Sequence, residues 1–502
     1  MTKPSNLDRR LFLRQGVALT SALGVGAPLA LQLATLSEAA AQSAPDYKAV
    51  VCLFMLGGND AFNTVLPTDT DSWDAYQHTR GQTGGNIALL PAGTAPDTAA
   101  AASSPARYGG VRPITLGNAG GRGFAVHPLM NRTQSLVNSG RMSVLANVGP
   151  LIEPLTRVQY EQKARRQPAR LFSHNDQQNI WQSFQPEGAS RGWGGLMADA
   201  FASNNGNSMF TALSASGNSV WLSGRDVRQY QLGVQGATRI GNVWTNDNLR
   251  SALQRVVSAQ AHGGHASMRH VMQKESGAIG QRSVVAESTL NGVLPPATDA
   301  AFGPDTRLAY TKVDGTSATN PVAQQLQVVA RTIAARNGLG MRRQVFFVSL
   351  GGFDTHDSQN SRHADLMLRL DHALGYFNDM LQSLGMQDQV LTFTASEFGR
   401  SFTSNGDGTD HGWGGHQFVM GGGLTGGQLY GQMPTLVRRN TSNNSFDAST
   451  HQIASGVLIP TTSVDQLAYS VGRWMGVSDS HMMSVLPNLG NFNANTRQVF
   501  GA

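Results

Sequence analysis

The sequence predicts an α/β fold: a mainly parallel sheet with helices on both faces and an irregular inserted subdomain. Continuous apolar runs such as "AVVCLFML" (49–56) and "VFFVSL" (345–350) read as strands buried on both faces. A strand covered on one side only would instead alternate polar and apolar residues. Amphipathic helical patterns fall between these runs, the rhythm that builds a parallel sheet. Three runs end in polar clusters: Gly-Gly-Asn-Asp, Gly-Gly-Phe-Asp-Thr-His and Ser-Glu-Phe-Gly-Arg. In open α/β sheets ligands bind at the carboxyl ends of strands, so these clusters are expected to meet at one site.

The first element is a basic stretch, "LDRRLFLRQG", followed by "VALTSALGVGAPLALQLATL" and "SEAAAQ". A charged start, an apolar stretch and a small-residue cleavage site read as an export signal over residues 1–41, cut after Ala41. Paired Arg9 and Arg10 with Phe12 and Leu13 make it a twin-arginine signal. The expected partner there is the twin-arginine export machinery, and the expected location is periplasmic or secreted. Gly24, Gly26 and Pro28 interrupt the apolar stretch, which opposes a stable membrane span, with an uncleaved anchor as the alternative. No later stretch is long and apolar enough to span a bilayer.

A single domain over 46–502 is expected next. The run 49–56 is its first strand, and 79–120, rich in Gly, Ala, Thr and Pro, reads as a long surface excursion. "VHPLMNRTQSLVNSGRMSVLANVG" then gives helix, turn and strand, with Leu129, Leu136 and Val137 at helical spacing and Gly140 ending the helix. Patterning weakens over 203–321, which reads as an insertion. It returns with Val322, Leu326, Val329 and Ile333 on one helix face. After the strand 345–350, Leu366, Leu370, Leu374, Phe377, Leu381 and Leu384 form the stripe of a second long helix. "QVLTFTASEFGRS" and "HQFVMGGGL" supply two further strands.

Composition excludes several classes of function. The 502 residues carry a formal charge of +6. Residues 1–41 contribute +2 of it (Lys3, Arg9, Arg10 and Arg14 against Asp8 and Glu38), leaving +4 for the rest. No dense Lys/Arg stripe with interleaved aromatics is present, so nucleic acid is not an expected partner. The one cysteine, Cys52, rules out an internal disulfide, and its apolar setting reads as a buried, inert thiol.

The polar clusters hold the candidate chemistry. Asp60 follows Gly57-Gly58, where its carboxylate is either a metal ligand or a turn cap. Asp354 and His356 follow Gly351-Gly352, two ligand types able to face one point. Asp357 reads as a turn residue, Asp365 as a helix-start residue, and His363 as either ligand or helix entry. Glu397 stands at the next strand end with Arg400 behind it, which either clamps an anionic oxygen or pairs with Glu397. Asp410, His411 and His416 sit in a glycine-dense loop with the donor types of zinc, manganese or iron sites. Ser173-His174 precedes a helix, where the serine is a nucleophile, an anion ligand or a cap. His127 reads as helix entry.

Taken together, "DRRLFLRQG", "FMLGGNDAFNTVLP", "VHPLM", "SHNDQQNIW", "VFFVSLGGFDTHDSQ", "TFTASEFGRS" and "GTDHGWGGH" resemble, in this order, the exported bacterial family catalogued as domain of unknown function 1501. That family is similar to the alkaline phosphatase and sulfatase superfamily, which implies an alkaline-phosphatase-like fold and hydrolysis of phosphate or sulfate esters. The resemblance implies Asp60 as the first-strand metal ligand, Asp354 and His356 as later ligands, and His411 or His416 as the last histidine. The chain departs from the superfamily pattern at Glu397-Phe398, where Asp-His is usual, and no hydroxyl nucleophile follows Asp60 in the usual context. Thr64 and Ser173 are the remaining candidates. The expected cofactor is a divalent cation (zinc, manganese, iron or calcium) in unstated number, and the expected substrate a small anionic ester. The expectation is an exported metal-dependent hydrolase, with a non-catalytic exported binding or assembly protein on the same fold as the alternative.

Overall fold

Alternate side chains of strand β1 (Lys48–Leu56) enter two different cores, the pattern of a strand covered on both faces. Ala49, Val51, Leu53 and Met55 pack on one side, Val50, Cys52 and Phe54 on the other. The computed structural model describes residues 47–501 apart from 82–85, 239–240, 242, 244–245 and 263–269. The expected export signal therefore lies outside the described residues. Among those described, no helix is long and apolar enough to cross a membrane.

After β1 the chain forms β2 (Val65–Pro67) and helix α1 (Thr70–Arg80), whose amino end is capped by the Asp69 carboxylate. β3 (Arg112–Ile114) and β4 (Phe124–Val126) pair with β2 as a small antiparallel sheet. The stretch expected as a surface excursion is thus partly packed. Leu89 and Val111 join Phe62, Tyr76 and Phe402 in a core of their own. Helix α2 (Asn131–Asn138) carries Leu136 and Val137 but begins after Leu129, which the helical spacing includes; β5 (Met142–Gly149) and helix α3 (His174–Ser183) follow.

Within the expected insertion, β6 (Ala212–Ser214), β7 (Tyr230–Gly233) and β8 (Gly236–Ala237) extend the central sheet rather than standing outside it. Helices α4 (Asp247–His262) and α5 (Val271–Val293) pair with each other. Helix α6 (Pro321–Ala334) starts on an Asn320 cap with proline in its first turn, as its sequence prescribes. Then come β9 (Arg343–Gly351), helix α7 (Gln359–Ser383) and β10 (Val390–Ser396). β11 (Arg400–Ser404) and β12 (Thr409–His411) form a hairpin, followed by β13 (Gly415–Gly421), β14 (Leu429–Tyr430), β15 (Thr462–Ser463) and helix α8 (Val464–Trp474).

The sheet has ten strands in the order β14-β5-β13-β10-β1-β9-β6-β7-β8, with β15 beside β5. Six of its neighbour pairs are parallel and three antiparallel, so the architecture is a mainly parallel α/β sheet. Helices α6 and α7 cover one face through Leu326, Val329, Leu370 and Phe377, and α8 covers the other through Leu467 and Val471. At the centre, Leu56 of β1 is level with Gly351 of β9, and Met55 with Ser396 of β10. Three adjacent parallel strands therefore deliver their polar ends to one place.

Candidate metal centre

The loop after β1 can approach its neighbours because Gly57 and Gly58 take positive φ (116° and 83°). A Cβ at Gly57 would stand 2.4 Å from the Asp354 amide nitrogen, and one at Gly58 would stand 2.3 Å from the Phe398 ring. That contact closes the gap between the three strand ends.

Asp354, at the end of β9, is the centre of the cluster. Its Oδ1 lies 3.0 Å from His356 Nε2 and 3.3 Å from His411 Nε2, and its Oδ2 lies 3.4 Å from His174 Nε2. The two facing nitrogens of His356 and His411 are 2.9 Å apart. One ligand atom each from His174, Asp354 and His411 falls within 4.8 Å of the others. His174 comes from the first turn of α3, His411 from β12, and His356 from the loop before α7.

The opposite ring nitrogens are each occupied. His411 Nδ1–H donates to the Phe172 carbonyl at 2.7 Å, which leaves a lone pair on Nε2. Phe172 turns that carbonyl inward with a φ of 72°, a conformation costly for a residue other than glycine. His174 Nδ1–H donates to Glu397 Oε1 at 3.0 Å, and its Nε2 is buried without a hydrogen bond. His356 Nδ1 lies 3.5 Å from Asp410 Oδ1. Tying one imidazole nitrogen to a carboxylate or carbonyl sets the tautomer and aims the other at a cation. Burial pushes the His411 imidazole down, keeping it neutral. The Glu397 hydrogen bond pushes His174 up, since the cluster gathers negative charge. Burial works to raise the Asp354 carboxyl, but the hydrogen bond and charge of Arg400 overcome it and hold it ionised.

Glu397, and Arg400, which the sequence offers as an anion clamp or a partner of Glu397, are both fully buried behind the cluster. Glu397 Oε1 accepts from His174, the Gly57 amide at 2.8 Å and Gln178 Nε2 at 3.0 Å, so it positions an imidazole. Arg400 donates to Asp354 Oδ1 at 2.8 Å, to the Gly57 carbonyl, and to the carbonyl and hydroxyl oxygens of Thr409. Its guanidinium is consumed by protein oxygens and holds Asp354 rather than a ligand. The Glu397-Phe398 pair thus has a local reason: Phe398 packs 4.9 Å from both the His174 and the His411 rings, fixing their planes.

Three expected ligands lie outside the cluster. Asp60 is fully buried in a bidentate pair with Arg80, at 2.6 and 2.9 Å, and also accepts from Gln359 Nε2 at 2.5 Å and the Phe62 amide. With both oxygens engaged, it is a structural charge and a cap, not a ligand. His416 is buried with Nδ1 accepting from the Asn147 amide, and burial pushes it down to about 3. Asp410 is 60% exposed and reaches the cluster only through His356. Ser173 turns its hydroxyl to Asp176 Oδ2 at 2.8 Å, and Thr64 turns its own to the Asp60 carbonyl, so neither is placed as a nucleophile. His363 lies inside α7 and donates to Asn59 Oδ1, and His127 accepts from the Leu129 amide. Sequence reading missed Gln178, although its i+4 spacing from His174 puts both on one helix face. It also missed Arg80 and the Phe172 carbonyl, which carry no local signal.

A family model described as "Protein of unknown function (DUF1501)" matches residues 47–487. No curated protein matches the sequence. Among solved structures, the chain is similar to the PsFucS1 sulfatase from Pseudoalteromonas sp., with 10% identity, 94% of this chain and 73% of that chain covered, and a TM-score of 0.30. It is also similar to the BT33494S-sulf protein from a Bacteroides thetaiotaomicron locus for the metabolism of multiple glycosaminoglycans, with 11% identity, 88% and 74% covered, and a TM-score of 0.32.

Proposed function

Since the chain belongs to the family described as "Protein of unknown function (DUF1501)", whose description assigns no reaction, we propose a function from the site itself: an exported, metal-dependent hydrolase of phosphate or sulfate esters. One observation carries the reading. Nε2 atoms of His174, His356 and His411 converge on the Asp354 carboxylate, while the far nitrogens of His174 and His411 are held by Glu397 and the Phe172 carbonyl.

His174, Asp354 and His411 would hold the cation, with His356 beside them and outside the ligand set. Nitrogen and carboxylate donors of this kind suit zinc, manganese or iron better than calcium, which takes six to eight oxygens. When bound, the cation supplies Lewis acidity, polarising an ester oxygen and acidifying water. The chain's own charges set the substrate class. Metal-ligating imidazoles are neutral, so with Asp354, Glu397 and Arg400 contributing −1 a divalent cation would turn the site to +1, which attracts an anionic oxygen. The protein hydroxyls of Ser173, Thr64 and Thr409 are all engaged in internal hydrogen bonds, so water is the nucleophile this geometry favours. His356, 43% exposed, is the imidazole best placed to move a proton to solvent.

To test it, the mature protein is analysed for bound metal by mass spectrometry and assayed on phosphate and sulfate esters, with His411→Ala as control. Stoichiometric metal and hydrolysis lost together in the variant support the reading; a metal-free protein inactive on the whole panel sinks it. The buried Arg400, withheld from any substrate anion, favours a second reading: a metal-binding export scaffold without catalysis. That reading predicts bound metal but no turnover.

A further inference from the structure

A cavity of about 270 Å³ adjoins the cluster along helix α3. Gln178 and Gln182, one and two turns beyond His174, line it with Asn179. The four-residue step from Gln178 to Gln182 is about 6 Å along the helix axis, on the order of a single pyranose ring. The opposite wall carries Asn218, and Ser216 and Ser349 stand at the end of the sheet. No lining residue has an ionisable side chain, although the neighbouring cluster is densely charged.

The carboxamides offer both hydrogen-bond senses. Gln182 Oε1 is used by the Ser219 hydroxyl and the Trp221 amide, which fixes the orientation of the group and leaves Nε2 as a donor without a protein partner. Asn218 Oδ1 accepts from Gln229 and Gln231, which leaves its Nδ2 likewise. Gln178 and Asn179 use their amide nitrogens on Glu397 and the Asn175 carbonyl, leaving both side-chain oxygens as acceptors. Neighbouring donors and acceptors without net charge match vicinal hydroxyls, each of which both donates and accepts. A charged group would be desolvated here without a counter-charge.

We infer that this cavity binds an uncharged, polyhydroxylated ring, so that the esterified alcohol taken by the site is a sugar unit. The inference deepens the hydrolase reading and depends on it only for the role of the ring as the alcohol. The ring lies along α3 with its ester oxygen toward His174, and Gln178 touches both the ring and Glu397.

The test uses full-length mature protein with methyl pyranosides of glucose, galactose and mannose as probes, followed by saturation-transfer NMR. Asn179→Leu and Asn218→Leu change side chains that are not buried, so folding is preserved and is checked by circular dichroism. The expected result is binding of at least one pyranoside, weakened tenfold or more in both variants, with metal content unchanged. Failure of every pyranoside to bind a protein that holds metal and hydrolyses aryl esters would overturn the cavity assignment and leave the hydrolase reading standing. Binding that neither variant weakens would overturn it equally. Binding lost in the variants of a protein without metal or turnover would uphold the cavity and remove the hydrolase.

Discussion

Replacing Asp60 by alanine separates a structural charge from a metal ligand. The carboxylate accepts from four donors: both terminal nitrogens of Arg80, the Gln359 amide and the Phe62 backbone. Both partners of the ion pair are fully buried. Truncation leaves the Arg80 guanidinium with the Asn63 side chain and the Ser401 and Phe402 carbonyls, but with no counter-charge. Removing one partner of a buried pair costs about 3–5 kcal/mol. For residues 47–501, about 450 residues at ~2.1 cal/mol/K each give a melting entropy of about 0.95 kcal/mol/K. The expected fall in Tm is therefore about 3–5 °C, with the metal content of the folded fraction unchanged. Differential scanning calorimetry reads the first quantity and elemental mass spectrometry the second. An Asp60→Ala protein that melts like wild type but has lost its metal would refute the assignment and restore Asp60 to the ligand set.

Glu397→Gln keeps the size of the side chain but removes the negative acceptor for His174 Nδ1; metal affinity, measured by chelator competition, falls about 10–100-fold without abolishing the site. Chelation at a metal concentration about 100 times Kd removes about 2.7 kcal/mol of linked stability, which is about 3 °C in Tm for a chain of this size, and His411→Ala becomes insensitive to the chelator. Burial pushes the Asp465 carboxyl up to about 7 despite hydrogen bonds from Asn488. Its folded value lies above its unfolded one, so its contribution to stability is present below the ordinary carboxyl range and is lost as pH rises through 7. The loss is about 1.4 kcal/mol per unit of pH. Asp465→Asn should abolish that decline, with Tm above wild type at pH 8 and near it at pH 4, as followed by thermal melts across the range.

How much of this was legible depends on whether the information is local. β1, β9 and β10 are readable because burial on both faces imposes an unbroken apolar run, and α6 and α7 because one buried face imposes a period of 3.6. Parallel pairing then dictates that the ends of those strands meet, which is why Asp354 and Glu397 could be placed near one another from sequence alone. Roles within the site are different, because they depend on what stands behind each side chain. Asp60 has the same strand-end setting as Asp354, yet Arg80, twenty residues on in a stretch without a distinctive pattern, takes its charge. Arg400 looks like an anion clamp until Gly57 and Thr409 close around it. The strands inside the expected insertion are illegible for a related reason: β6, three residues long, is too short to carry a period, and its pairing with β9 and β7 places it in the sheet. His174 gains its place through a helix that folds over the strand ends, so no spacing along the chain announces it. Its partner Gln178 does obey a local rule, since a side chain four residues along a helix returns to the same face. Two polar residues at that spacing ahead of a buried tryptophan, Trp181, mark a helix with its apolar face in the core and a polar edge turned toward the strand ends. That edge supplies both the third imidazole and the first wall of the neutral cavity, so the proposed metal centre and the proposed ring-binding site share one element and should be lost together if α3 is displaced.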